Sequence, residues 1–134
     1  MTRLTRQWLK KADDDLDTAR QLISLTPTHT DQICFLCQQA VEKYVKALMQ
    51  HLGLTVPKTH DIPRLISLLL PQDATLSPLR RGTKTFSRYA VDYRYPGLDT
   101  TPRQARLAMK KAELFREVVR KRLELKTPKT QGNT

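Results

Sequence analysis

The stretch DQICFLCQQAVEKYVKALMQHLG, Asp31 to Gly53, decides the fold. Its apolar positions Ile33, Cys37, Ala40, Tyr44, Leu48 and Leu52 recur every three or four residues, the period of one helix face. Leu36, Val41 and Val45 widen that face. Gly53 stands where a helix ends on a left-handed residue, which costs glycine no Cβ clash. The pattern predicts a helix from about Asp31 to Leu52.

Outward from this helix the same period returns four times, and no segment alternates as a strand. Leu4, Trp8, Ala12, Leu16, Ala19 and Ile23 predict a helix over 4–25, stopped by Pro27 and its polar neighbours. Asp61 as N-cap and Pro63 in the first turn open a short helix ending at Leu70, before Pro71. Leu76, Leu79, Phe86, Tyr89 or Ala90, and Tyr93 predict one helix over 76–93 in spite of Gly82. Thr101-Pro102-Arg103-Gln104 reads as a capping box with proline at the first helical position. It opens a helix carrying Ala105, Ala108, Met109, Ala112, Phe115, Val119 and Leu123 inward. Long helices joined by short connections give an all-α protein, an up-and-down four-to-five-helix bundle over residues 1–126 with a flexible tail at 127–134.

Composition agrees. With 134 residues, 39% hydrophobic and 28% charged, the chain suits one globular domain with a modest core. Four glycines are too few for the turns of a β-sandwich. Two cysteines exclude a disulfide scaffold. No stretch resembles a signal peptide, and the longest apolar cluster, Leu65 to Leu70, is broken by Ser67 and too short to span a bilayer. A cytoplasmic protein without a membrane partner is expected. The net charge of +11 is uneven: residues 1–70 hold 9 basic and 7 acidic side chains, residues 71–134 hold 15 and 6. A field gathered in one half attracts an anionic partner or serves solubility.

Several side chains carry possible chemistry. Cys34 and Cys37 form a lone CxxC inside a helix, and His29 and His51 lie at its opposite ends, so no zinc site forms and the cysteines belong to the core. No metal and no cofactor are expected. Asp13, Asp14, Asp15 and Asp17 point in different directions on a helix and read as a solvated face. Tyr89, Tyr93 and Tyr95 interleave with Arg88, Asp92 and Arg94. Such rings and guanidinium groups either stack on a base and hold a phosphate or plug the bundle end, with Arg88 and Asp92 pairing. His60 follows Lys58 and precedes Asp61, a carboxylate that either tunes the imidazole or caps the next helix. On the last helix Arg103, Lys110 and Lys121 fall within about 80° of one another, a strip able to face phosphate.

Taken together, four blocks resemble the HEPN domain family (higher eukaryotes and prokaryotes nucleotide-binding). They are Trp8 with Asp15-Leu16-Asp17-Thr18-Ala19; Cys34-Phe35-Leu36-Cys37-Gln38-Gln39-Ala40-Val41-Glu42-Lys43 with Lys46-Ala47-Leu48; Thr59-His60-Asp61; and Tyr93-Arg94-Tyr95-Pro96. The match runs over about residues 5 to 123. The resemblance implies a helical bundle that forms a homodimer, a nucleotide or RNA ligand, and a minimal nucleotidyltransferase partner in toxin–antitoxin-like pairs. Many members are metal-independent ribonucleases with an Arg-x(4–6)-His motif. Here the positions following Arg94 at that spacing are Asp99, Thr100 and Thr101, and Leu36 stands where many members carry His. The imidazole of that mechanism is missing, which points to a non-catalytic member. The expected ligand-binding residues are Lys58, His60, Arg88, Tyr93, Arg94 and Tyr95. Two alternatives stand beside this reading. One is a divergent metal-independent ribonuclease using His60 with Arg94. The other is a pure dimerisation or interaction module, for which Leu98, Leu107 and Leu114 have no evident place in the core.

Overall fold

A computed structural model describes residues 1–25, 29–89 and 95–124. Five α-helices follow in chain order: α1 (Arg3–Ser24), α2 (Thr30–His51), α3 (Ile62–Leu69), α4 (Thr83–Tyr89) and α5 (Pro102–Arg122), with a 3-10 helix (Ala74–Arg80) between α3 and α4. Among the described residues there is no strand. No helix there is long and apolar enough to cross a membrane.

The second helix is the hub. It packs against α1, α3, α4 and α5, and α1 also meets α5. Its sequence explains the position: buried residues run around most of its circumference, from Ile33, Cys34 and Cys37 through Ala40, Val41, Tyr44 and Val45 to Ala47, Leu48 and Met49. A helix with apolar residues spread this far around has to be surrounded, and Gln38, Glu42 and Lys46 are buried along with them. The remaining helices bury one stripe each. On α1 that stripe is Thr5, Leu9, Ala12, Leu16 and Ala19: Ala12, Leu16 and Ala19 are buried as expected, whereas in the first turns Thr5 and Leu9 take the inward places, so Leu4 is exposed and Trp8 half-buried. On α5 it is Ala105, Ala108, Met109, Ala112, Phe115 and Val119, as its spacing predicts.

The helix ends follow the local chemistry. Gly53, at φ 74°, closes α2: its N–H donates to the Gln50 carbonyl (3.1 Å) and the Leu54 N–H to the Met49 carbonyl (3.0 Å), a Schellman arrangement. Asp61 caps α3 by accepting from the Arg64 N–H at 3.2 Å. Thr101 and Gln104 form the reciprocal capping box of α5, at 3.1 and 2.8 Å.

Residues 76–89 depart from the single helix their spacing predicts. Pro78 lies inside the 3-10 helix, and Gly82 takes φ 79°, a left-handed turn that breaks the chain direction before α4. Leu76, Leu79, Phe86 and Tyr89 still reach the core, because the break keeps them on one side. Ala90 to Tyr93, the stop at Pro27 and the tail 127–134 lie outside the described residues.

The aspartate run is only half a solvated face. Asp14 pairs with Lys10 and Asp17 with Arg20 on the surface of α1. Asp15 instead reaches Lys43 on α2 (2.5 Å). Asp13 accepts from the Tyr44 hydroxyl, with Arg116 and Arg120 of α5 at 3.4 and 3.6 Å. Burial and the Asp13 carboxylate push the Tyr44 phenol up, so it stays a hydrogen-bond donor. Two of the four aspartates therefore join helices, an outcome decided by which neighbour faces each turn. Arg20 completes the set with both oxygens of Glu113 on α5, each at 2.5 Å.

Candidate functional site

The N-terminal turns of α2 meet the end of α4 and the segment before α5. Thr100 ties them together: its N–H and hydroxyl donate to Asp31 Oδ1 at 2.8 and 2.6 Å, and its carbonyl accepts from the Thr30 hydroxyl at 3.1 Å. Beside this tie opens a cleft of about 770 Å³. Leu22 of α1, Asp31, Gln32, Phe35 and Leu36 of α2, Tyr89 of α4, and Tyr95 with Pro96 line it. Tyr95 is 62% exposed, whereas Tyr89 is buried and stacks edge-on against Phe86 with ring centroids 5.9 Å apart. Tyr89 thus seals the bundle end and Tyr95 leaves its ring available at the mouth. Three aromatic rings, one carboxylate and one amide suit a planar heteroaromatic group held by stacking and edge hydrogen bonds.

Among the described residues the lining contains no cation, so within them an anionic group attached to such a ring finds no counter-charge in the cleft itself. Arg88 is exposed on the last turn of α4, one residue before the cleft-lining Tyr89, and is not itself in the lining. Tyr93 and Arg94, and Asp92 as the expected partner of Arg88, lie outside them.

His60 and Lys58 do not line the cleft. They belong to the connection between α2 and α3, where both are exposed. His60 is not tuned by Asp61, whose carboxylate caps α3. Its partner is Glu42: the ring Nδ1–H donates to Glu42 Oε1 at 2.8 Å. The histidine side chain is 75% exposed and the glutamate only 5%. Lys46, 7% exposed, bonds the other carboxylate oxygen at 3.0 Å, and Gln38 Nε2 donates to Oε1 at 3.2 Å. The Lys46 ammonium also stands 5.6 Å from the Trp8 ring centroid. The buried carboxylate thus has three polar partners, and it holds the imidazole through Nδ1 while most of the ring stays in solvent. Phe35 and Glu42 are seven residues apart, two helical turns or about 10 Å along the axis, so the cleft-lining ring and the carboxylate that holds His60 start from the same face of α2. Glu42 is the site residue that the residue pattern alone missed. The i, i+4 series Gln38, Glu42, Lys46 on a strongly apolar helix is the signal that marks a polar cluster needing partners.

The cysteines are core residues. Burial pushes the Cys34 thiol up to about 11, and the Cys37 thiol further, with its Sγ 3.4 Å from Met109 Sδ. Among the described residues no three His, Cys, Asp or Glu side chains converge as metal ligands.

The fold is similar to two solved structures. One is TT1696 from Thermus thermophilus, at 26% identity and a TM-score of 0.77, covering 90% of this chain and 98% of that one. The other is ST0689, an archaeal HEPN homologue, at 29% identity and a TM-score of 0.65, covering 92% and 99%. No protein with a curated description matches the chain. The HEPN domain model matches residues 5–122, nearly the whole helical bundle, and the chain belongs to the HEPN domain family.

Proposed function

We propose that this HEPN domain binds a nucleotide or the single-stranded part of an RNA, without cleaving it. In this reading it acts as a homodimer and pairs with a minimal nucleotidyltransferase in a toxin–antitoxin-like unit. The observation that carries the ligand is the cleft of about 770 Å³, at whose mouth the exposed Tyr95 ring is the stacking partner a base requires, with Phe35 and Tyr89 as its aromatic wall. Asp31 and Gln32 address the base edge, and Arg88 with Arg94 takes the phosphate. The excess of basic side chains in residues 71–134 supplies the attracting field.

The test is titration of the protein with ATP and with a short labelled oligouridylate at about 50 and about 200 mM salt. Stacking of one base is worth about 1–3 kcal/mol, so Tyr95→Ala weakens binding by about fivefold or more. Arg94→Ala lowers affinity and flattens the salt dependence. Absence of binding at the lower salt, or affinities untouched by both substitutions, overturns the reading.

The geometry at His60 favours a second reading, a divergent metal-independent ribonuclease. Glu42 orients the imidazole through Nδ1 and leaves the side chain largely exposed, an arrangement a general base could use. RNA cleavage in EDTA that is lost in His60→Ala supports it; equal or absent cleavage removes it.

A further inference from the structure

The outer face of α5 is neither core nor a plain solvated surface. Leu107 and Leu114 lie two turns apart on it, 54% and 42% exposed. Arg103, Arg106, Lys110 and Lys121 flank them, all exposed. Leu107 and Lys111 are shared by two adjoining depressions: one of about 460 Å³ along α5, and one of about 300 Å³ between α4 and α5, floored by Phe86, Tyr89 and Ala108. Arg81 stands with Lys111 at the second. Among the described residues no carboxylate lies within ion-pair distance of Arg81, Lys110 or Lys111. Burial and the Arg81 charge both hold the Lys111 ammonium below its ordinary value, the mark of a cation lacking a counter-charge. Of the nearby acids, Glu113 is engaged by Arg20 and Glu117 sits beyond Leu114.

We infer that this face is the docking surface for an acidic amphipathic helix of a partner protein, whose apolar stripe covers Leu107 and Leu114 and whose carboxylates meet Arg81, Lys110 and Lys111. Charge complementarity selects this occupant. A second copy is a poor fit, since antiparallel pairing over both leucines sets Lys110 against the copy's Lys111, and parallel pairing sets like against like. The chain's own residues 125–134 carry Lys126 and Lys129 and no acid, so they do not complement it either. A nucleic acid would use the cations but gains nothing from two half-exposed leucines at the centre. The proposal is independent of the Tyr95 cleft.

The test uses the full chain and two labelled helical peptides with the same leucine seam, one flanked by glutamates and one by lysines. The glutamate peptide is expected to bind at least about tenfold more tightly at low salt. Leu107→Ser and Leu114→Ser, both at exposed positions, each weaken it about fivefold, and Lys111→Glu abolishes the preference between peptides. Tyr95→Ala leaves peptide binding unchanged. Equal binding of the two peptides, or indifference to the leucine substitutions, overturns the proposal. So does displacement of the peptide by oligouridylate with leucine-dependent affinity, which assigns the face to nucleic acid. Self-association in light scattering that both serine variants abolish assigns it to a second copy.

Discussion

Replacing Lys46 with methionine isolates the buried ion pair with little change in volume. Lys46 and Glu42 are both nearly inaccessible, and the carboxylate would keep only His60 and Gln38 as donors. Breaking a buried pair by removing one partner costs about 3–5 kcal/mol, because the remaining charge loses solvent and partner together. Unfolding entropy of about 2.1 cal/mol/K per residue gives about 0.28 kcal/mol/K for a chain of this length. The expected fall in Tm is therefore about 11–18 °C, read by circular dichroism or calorimetry. Glu42→Gln strands the ammonium instead and should lie at the lower end of that range. The double variant Glu42→Gln with Lys46→Met has no buried charge and should recover much of the loss, giving a coupling energy of at least about 2 kcal/mol. His60→Ala removes one bond whose donor is largely in water, and costs about 1 kcal/mol or about 4 °C. A Lys46→Met shift below about 4 °C, or a double variant as unstable as the sum of the singles, would falsify the view of this cluster as a desolvated, mutually dependent unit.

Three further outcomes follow from the same physical reasoning. Burial disfavours the thiolates, so Cys34 and Cys37 should react with a disulfide reagent at about pH 8 only when guanidinium unfolds the chain; fast labelling of native protein contradicts their packing. Gly53→Ala meets no atom within 4 Å, so its cost of about 1 kcal/mol is purely the left-handed backbone, measurable as a shift in the urea midpoint at constant slope. Thr101→Ala removes the hydroxyl half of the α5 capping box and should cost about 1 kcal/mol, with Thr101→Ser close to neutral.

Elements governed by neighbours in sequence were legible before the structure. Gly53, Asp61 and Thr101-Pro102-Arg103-Gln104 each act within a turn of themselves, and each ends or begins a helix as its chemistry requires. The apolar period of α2 marked it as a helix for the same reason, but its place at the centre, met by α1, α3, α4 and α5, appeared only in the structure. What failed has one local case, and the rest depends on distant chain. Pro78 and Gly82 interrupt 76–89 although its apolar period survives, because a turn can preserve which side faces inward. Asp13 and Asp15 look like their neighbours until α2 and α5 supply Tyr44, Lys43, Arg116 and Arg120. Within the candidate site, Tyr95 was legible as a ring beside a turn-forming proline. Asp31 and Phe35 were not, since they read as the first turns of a helix and acquire a role only where residues 95–100 pass. Glu42 carried a signal in its i, i+4 neighbours Gln38 and Lys46, but its pairing with His60, eighteen residues on, depends on how the α2–α3 connection folds back.

The central placement of α2 has a consequence for how the molecule comes apart. Since α1, α3, α4 and α5 all lean on one rod, each peripheral helix can fray while the rod stays covered by the others, but the rod cannot be exposed without releasing everything. Its amides should therefore exchange with solvent deuterium only through whole-molecule opening, while the short α3 and the 3-10 turn exchange through local excursions. The Tyr95 cleft sits where the start of this rod, Asp31 to Leu36, meets the peripheral elements that carry Leu22, Tyr89 and Tyr95, so its two walls belong to parts of the molecule that open by different routes.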